Sequence, residues 1–232
     1  VICGKKNVFF TNNDTAYEAA ISLFKKGIEV IAIIDIREKS KTSIVKQAED
    51  LGIKVYWSHT VVDTYGYKKL KQISIMQLSD DDQSVIGSKI NIDCDCLGVA
   101  GGWTPAVHLF TQSGGKLKFR DEDQVFIPNK YPSKQISIGS CNGDFELDEI
   151  IKNSSDSLKK FLEIDKTDYE NLSVVTSKET NKKNIWLLPT DKVSGKTKSF
   201  VDYQNDATAN DIKLALREGF RSIEHVKRYT TT

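Results

Sequence analysis

What this chain lacks narrows it before anything it contains. No apolar run approaches a membrane span and nothing resembles a signal peptide, so a cytoplasmic location is expected by default. An excess of one charge is missing too. The 33 basic and 32 acidic residues leave a net +1, which is no footprint for nucleic acid or an anionic membrane. Cysteine is scarce: Cys3, Cys94, Cys96 and Cys141 include no C-x-x-C pair. In a strand, alternation would put Cys94 and Cys96 on one face, and they read as buried small hydrophobes in a reducing compartment rather than metal ligands. The three histidines, His59, His108 and His225, stand at no recognisable spacing from a nucleophilic Ser or Cys. His108, in "AVHLF", is expected as a hydrogen-bonded core residue. H-E-x-x-H, G-x-S-x-G and G-K-[ST] are all absent. No catalytic residue and no metal ligand can be assigned.

The 232 residues suffice for one large domain or two modest ones, with 39% hydrophobic and 28% charged residues as in ordinary globular chains. The opening reads as a βαβαβ run. "NVFFT" is a strand, and Asn13 or Asp14 caps a helix whose apolar positions are Ala16, Ala19, Ala20, Leu23 and Phe24. "IEVIAIID" is a continuous apolar strand of the kind covered on both faces. A second helix spans about 41–51, with Ile44, Val45, Ala48 and Leu51 inward, and "IKVYWSHTVV" returns as a third strand.

An antiparallel meander follows to about residue 92, with the acidic run Asp80–Asp82 at a solvated hairpin tip. An apolar strand resumes at 93–100 and turns at Gly101–Gly102. Pro105 is expected to start a short helix reaching Phe110. "QVFIP" and "KQISIGSC" read as short strands, and "FELDEIIKNSSDSLKKFL" as an amphipathic helix facing inward through Leu147, Ile150, Ile151, Leu158 and Phe161. The polar stretch 165–199 is a linker whose island "NIWLLP" would pin Trp186 and Leu188 onto a surface. "TANDIKLALREG" and "SIEHVKRY" are two closing helices. Thr208 is the expected cap of the first, with Asp211 three residues on.

Such a βαβ opening normally grips a dinucleotide through G-x-G-x-x-G at the first turn and an acid at the end of the second strand. Here the turn is "TNNDTA", without glycine, and Asp14 sets a carboxylate where a phosphate would lie. Asp35 stands in the place of the ribose-binding acid. On the residues alone the unit is a degenerate nucleotide fold, structural rather than binding.

Three stretches, in order, carry a resemblance: "LGVAGGWTPAVHLFTQSGGKLKF", "GSCNGDFELDEIIKNSSDSLKKF" and "SFVDYQNDATANDIKLALREGFRSIEHVKRYTTT". Together they resemble the α subunits of heterotetrameric sarcosine oxidases. The resemblance implies an α/β fold of two Rossmann-like dinucleotide-type units, the first incomplete, plus a small C-terminal helical ferredoxin-like module. It implies an inserted domain at 1–92, the C-terminal part of a first dinucleotide domain at 93–164, the linker at 165–199, and the helical module at 200–232. That module resembles bacterioferritin-associated ferredoxin domains but lacks their cluster cysteines. Asp202 and Gln204 stand at those positions, so no iron–sulfur cluster is expected.

The implied function is oxidative demethylation of sarcosine to glycine, with formaldehyde or methylene-tetrahydrofolate and hydrogen peroxide as products. NAD would be gripped by a glycine-rich turn upstream and lined here by Gly101, Gly102, Trp103, Pro105, Gly143 and Asp144. The competing reading of 100–105 is a plain tight turn with Trp103 in the core. FAD and FMN would sit in or near the partner subunit and tetrahydrofolate in a downstream domain, the chain being read as an internal piece of a longer polypeptide. The implied partners are β, γ and δ subunits. Two alternatives stand beside this: a related amine- or opine-oxidising complex, such as an opine dehydrogenase or hydrogen cyanide synthase, and a non-catalytic nucleotide-fold scaffold.

Overall fold

The structure is a computed structural model and describes residues 3–164, 183–192 and 197–231. Strand β1 (Lys6–Thr11), helix α1 (Thr15–Lys25), strand β2 (Glu29–Asp35), helix α2 (Ser43–Asp50) and strand β3 (Lys54–Trp57) reproduce the expected βαβαβ run. The third strand is shorter than the apolar pattern suggests. Ser58 takes a left-handed backbone (φ 53°) and breaks it, and β4 (His59–Gly66) belongs to a different sheet. Strands β4, β5 (Leu70–Leu78) and β6 (Val85–Asp93) form the expected antiparallel meander, with Asp80–Asp82 in the turn between the last two.

Strand β7 (Cys96–Ala100) pairs in parallel with β1 from Asn7–Cys96 to Thr11–Ala100, giving the sheet order β3-β2-β1-β7. The boundary expected between residues 92 and 93 is therefore corrected. The strand read as re-entering another domain instead closes the sheet that β1 began, because β1 has a second edge to pair. Asp95 fixes the junction. Its carboxylate accepts from the Lys5 and Lys6 amides (3.1 and 2.8 Å), and its own amide donates to the Lys6 carbonyl (3.0 Å). Cys94 and Cys96 do not share a strand face, since Cys94 precedes β7. Cys94 is buried, and burial also pushes the half-buried Cys96 thiol up.

The remaining elements are helix α3 (His108–Gln112), the hairpin β8 (Lys116–Arg120) and β9 (Val125–Lys130), a 3₁₀ turn (Gly139–Asn142), and helix α4 (Leu147–Leu162). Then come the two-stranded ribbon β10 (Phe200–Asp202) and β11 (Ala207–Thr208), and helices α5 (Ala209–Arg217) and α6 (Ile223–Thr231). Helix α3 starts three residues later than Pro105 suggested, and Pro105 is buried before it. His108 is exposed on α3 and not in a core. The stretch "KQISIGSC" is irregular and then 3₁₀, not a strand. Most of the expected linker lies outside the described residues; in its island Trp186 is exposed and Leu188 is half-buried.

The chain divides into two compact units, Val1–Ser58 with Cys94–Asn184, and His59–Asp93 with Ile185–Thr232. In the first, the core is Tyr17, Ala20, Ile21, Val30, Ile33, Val45, Ala48 and Ile53. The buried stripe of α1 is thus Ala16, Tyr17, Ala20 and Ile21, rotated from the expected one. Ala19 and Phe24 face out, because the larger Tyr17 and Ile21 fill the space over the sheet. Helix α2 buries Val45 and Ala48 as its spacing foretold. Helix α4 is amphipathic, but it has no fully buried residue, and Leu147 and Leu158 stand exposed.

In the second unit, Ile73, Ile75 and Leu78 of β5 are buried. The segment Asp191–Lys192 is ion-paired to the meander through Lys89–Asp191 and Lys192–Asp63, both 2.9 Å. Helix α5 opens with the capping box expected at Thr208 and Asp211: the Asp211 carboxylate accepts from the Thr208 amide (2.8 Å), and Thr208 Oγ1 accepts from the Asp211 amide (3.4 Å). Ala215 and Val226 are buried, yet Leu216, Ile223 and Tyr229 remain exposed, so the two apolar stripes are only partly covered.

Candidate functional site

In an open parallel sheet, ligands bind beyond the carboxyl ends of the strands, where the chain order reverses. Here that point lies between β1 and β7. The chain steps from β1 outward to β2 and β3 on one side and returns as β7 on the other. The end of β7 runs directly into Gly101–Gly102–Trp103. The turn after β1 is tied to it: the Asn12 amide donates to the Ala100 carbonyl (3.3 Å), Asn12 Nδ2 to the Gly101 carbonyl (3.2 Å), and Asn13 Nδ2 to the Ala100 carbonyl (3.1 Å). The two asparagines thus replace glycine by bonding the facing strand end. Gly102 sits at φ 101°, a conformation that L side chains rarely adopt.

A cleft of 560 Å³ runs along α1 from Thr15 to Ser22, beside Phe9 and Gly98–Ala100, with Trp103 in its wall. Trp103 is 66% exposed, so the reading that puts it in a core does not hold. Its indole offers a flat face, and the small Ala16, Ala19, Gly98 and Ala100 leave room opposite.

The other half of the same edge, between β1 and β2, is filled. Asp35 ends β2 and is fully buried, as are Arg37 and Tyr17. Arg37 Nε donates to Asp35 Oδ1 (3.0 Å) and Nη2 to Asp35 Oδ2 (2.8 Å) and Asp14 Oδ1 (2.8 Å). Tyr17 Oη donates to Asp35 Oδ2 (2.8 Å), and Thr42 Oγ1 to Asp14 Oδ2 (2.7 Å). Burial opposes the Arg37 charge, but hydrogen bonds to Asp35 and Asp14 outweigh it and hold the guanidinium above its ordinary range. Burial, reinforced by the Asp35 carboxylate, pushes the Tyr17 phenol far up. Asp14, expected to repel a phosphate, shares this one guanidinium with Asp35, so its charge is only partly offset from within. Arg37 is the residue that sequence reasoning missed. Its signal was "DIR": a basic residue two positions beyond a strand-end acid, beside a glycine-free turn that carries another acid.

Gly143 and Asp144 form a separate cluster. Gly143 ends the 3₁₀ turn at φ 88°, and its carbonyl accepts from Arg120 Nη2 (2.8 Å). A Cβ there would stand 2.7 Å from that nitrogen. Arg120 also pairs with Asp123, which keeps its guanidinium charged. Asp144 Oδ1 accepts from Asn153 Nδ2 (3.0 Å), while its Oδ2 is buried with no hydrogen-bond partner among the described residues.

In the C-terminal ribbon, the loop that carries Asp202 and Gln204 is held by an Asx turn. The Asp202 carboxylate accepts from the Gln204 amide (2.8 Å) and from Asn205 Nδ2 (2.6 Å), and these bonds lower its pKa. Among the described residues, no group of three or more His, Cys, Asp or Glu is placed to hold a metal ion, and no helix is long and apolar enough to cross a membrane.

Comparison with known proteins adds three findings. Residues 196–232 match the family model for the sarcosine oxidase A3 domain. Over 242 residues, and along 100% of its length, the chain is 30% identical to the sarcosine oxidase subunit alpha of Corynebacterium sp. (strain P-1). It is 27% identical over 246 residues to that of Rhizobium meliloti (strain 1021). The chain spans 24% and 22% of these relatives. Solved structures overlap it more loosely: T. acidophilum thioredoxin reductase at 18% identity and TM-score 0.47, covering 68% of this chain and 51% of that one, and L-proline dehydrogenase from P. horikoshii at 17% and 0.42, covering 98% and 40%.

Proposed function

We propose that this chain, related over its whole length to the sarcosine oxidase α subunits, is the part of such a subunit that contributes to NAD binding and to assembly. The observation that carries the reading is the 30% identity extending along 100% of the chain. The enzyme would oxidise a CH–NH donor, sarcosine, with oxygen as acceptor. Flavins held in or near a β subunit would supply the hydride acceptor. The chain would contribute neither a catalytic base nor the folate site.

The residues present fit a dinucleotide on the β7 side of the sheet edge. Gly101 and Gly102 let a ligand approach the backbone, and Trp103 and the small residues of the cleft suit a flat ring; Gly143 and Asp144, at the closing turn, would stand near its pyrophosphate or ribose. Residues 200–232 would dock on a partner subunit of β, γ or δ type, through the apolar residues Leu216, Ile223 and Tyr229 that α5 and α6 leave exposed. The assembly would be cytoplasmic.

The test is the full-length protein purified with its partners. Sarcosine-dependent hydrogen peroxide, with glycine as product, supports the reading. Oxidation of an opine or another secondary amine in place of sarcosine supports the related-complex alternative. A second reading, a nucleotide-fold scaffold without a cofactor of its own, is favoured by one observation: Arg37 fills the β2 half of the edge. Absence of stoichiometric NAD from the purified complex would favour it.

A further inference from the structure

We infer that Arg37 is the residue that closes the β1–β2 half of this sheet edge to adenine dinucleotides, by filling the seat of the ribose and pyrophosphate with a side chain of the same unit. In units of this topology a dinucleotide rests its pyrophosphate on the N-terminus of the first helix and its ribose hydroxyls on the acid ending the second strand. The corresponding residues are Asp14, the N-cap of α1, and Asp35, the last residue of β2. One guanidinium spans them, 2.8 Å from each carboxylate.

The acceptors that a nucleotide would use are already engaged. Asp35 Oδ1 accepts from the Arg37 amide (2.9 Å) and from Nε, and Oδ2 accepts from Nη2 and the Tyr17 hydroxyl. Asp14 Oδ2 accepts from Thr42, the N-cap of α2, so the same network fixes the starts of both helices. Tyr17 in turn lies stacked on Trp57 at 6.2 Å between centroids, which holds its hydroxyl in place. Two carboxylates and one guanidinium leave a net negative charge beside the helix start. A pyrophosphate would add to that charge and would have to displace a fully buried, bidentate arginine. The selectivity is therefore directional: the β2 side is shut, while the β7 side keeps its cleft.

This inference concerns residues 12–42 and does not rest on the proposed NAD contacts at 100–105 and 144, so the two can fail separately. The test is amide hydrogen exchange of the full-length protein with and without millimolar ADP-ribose, on wild type and on an Asp14→Gly/Arg37→Ser double variant. Wild type should show no ligand-dependent protection at 12–18 or 35–42. Protection confined to 100–105 and 144 agrees with both the inference and the proposed function. The double variant, if it melts cooperatively, should bind ADP-ribose at least about tenfold more tightly than wild type, with new protection at 12–18 and 35–37. Ligand-dependent protection of 12–18 and 35–42 in wild type overturns the inference, whether or not the variant folds. A folded double variant that binds no better than wild type overturns it as well.

Discussion

The two halves of one sheet edge have opposite fates. On the β2 side, Asp35, Arg37 and Tyr17 are packed out of solvent with a half-buried Asp14, and the four are bonded to one another. On the β7 side, Trp103 is 66% exposed and Val99 68%, beside a cleft along α1. Both halves meet at the glycine-free turn after β1, whose polar side chains are bonded within the unit. Asp14 found a guanidinium, and Asn12 and Asn13 found the carbonyls of Ala100 and Gly101. A degenerate binding turn therefore does not mean an empty one.

The sharpest way to break this comparison is Asp35→Ala. It strands a buried guanidinium and a phenol, and should cost about 3–5 kcal/mol in chemical denaturation of the full-length protein. A cost under about 1 kcal/mol would mean that water already solvates Arg37. Tyr17→Phe keeps the ring on Trp57 and removes one hydrogen bond to Asp35. It should destabilise by about 1.5–3 kcal/mol, since a charged acceptor is involved.

The same pair gives a pH dependence. The Tyr17 phenol is raised in the folded state, so its contribution is complete below the ordinary tyrosine value of about 10 and is lost as pH climbs above it, when the unfolded chain releases the proton first. Wild type should thus lose stability above about pH 10 more steeply than Tyr17→Phe, as read by melting across an alkaline series. Asp63 in the second unit has the opposite sign. Burial opposes its charge, but the Lys192 bond lowers its pKa, so the pair contributes above the ordinary carboxylate range and fades as pH falls through it. Lys192→Met should flatten the acid limb of the melting curve. The smallest effect belongs to the open half: Trp103→Ala should change stability by less than about 0.5 kcal/mol, because the indole is largely in solvent. A larger loss would mean that the β7 side is packed rather than open.

How much of this could be read in the residues differs between the halves. The apolar runs of β1 and β2 and the 3.6 spacing of α2 marked the sheet and its helix. The stripe of α1 was read one step round, because periodicity alone does not say whether Ala19 or Tyr17 takes the buried side. The destination of β7 was misread for a similar reason: an apolar pentapeptide carries no mark of which strand it will pair with, and only the free edge of β1 decides. Gly101–Trp103 could be singled out as a candidate because glycines and an aromatic after a strand are visible in the text. The triplet "DIR" marks Arg37 beside its strand-end acid but not its second partner, Asp14, which lies 23 residues earlier and meets it only after α1 and β2 have folded. The box at Thr208 and Asp211 was evident because both partners lie within one turn.

The most direct test is a density map of the full-length protein, crystallographic or by cryo-electron microscopy, determined with NAD. The account predicts dinucleotide density against Gly101–Trp103 and the Asp144 carboxylate, with Arg37 still bridging Asp14 and Asp35. Dinucleotide density on the start of α1 and the end of β2, with Arg37 displaced, would contradict it.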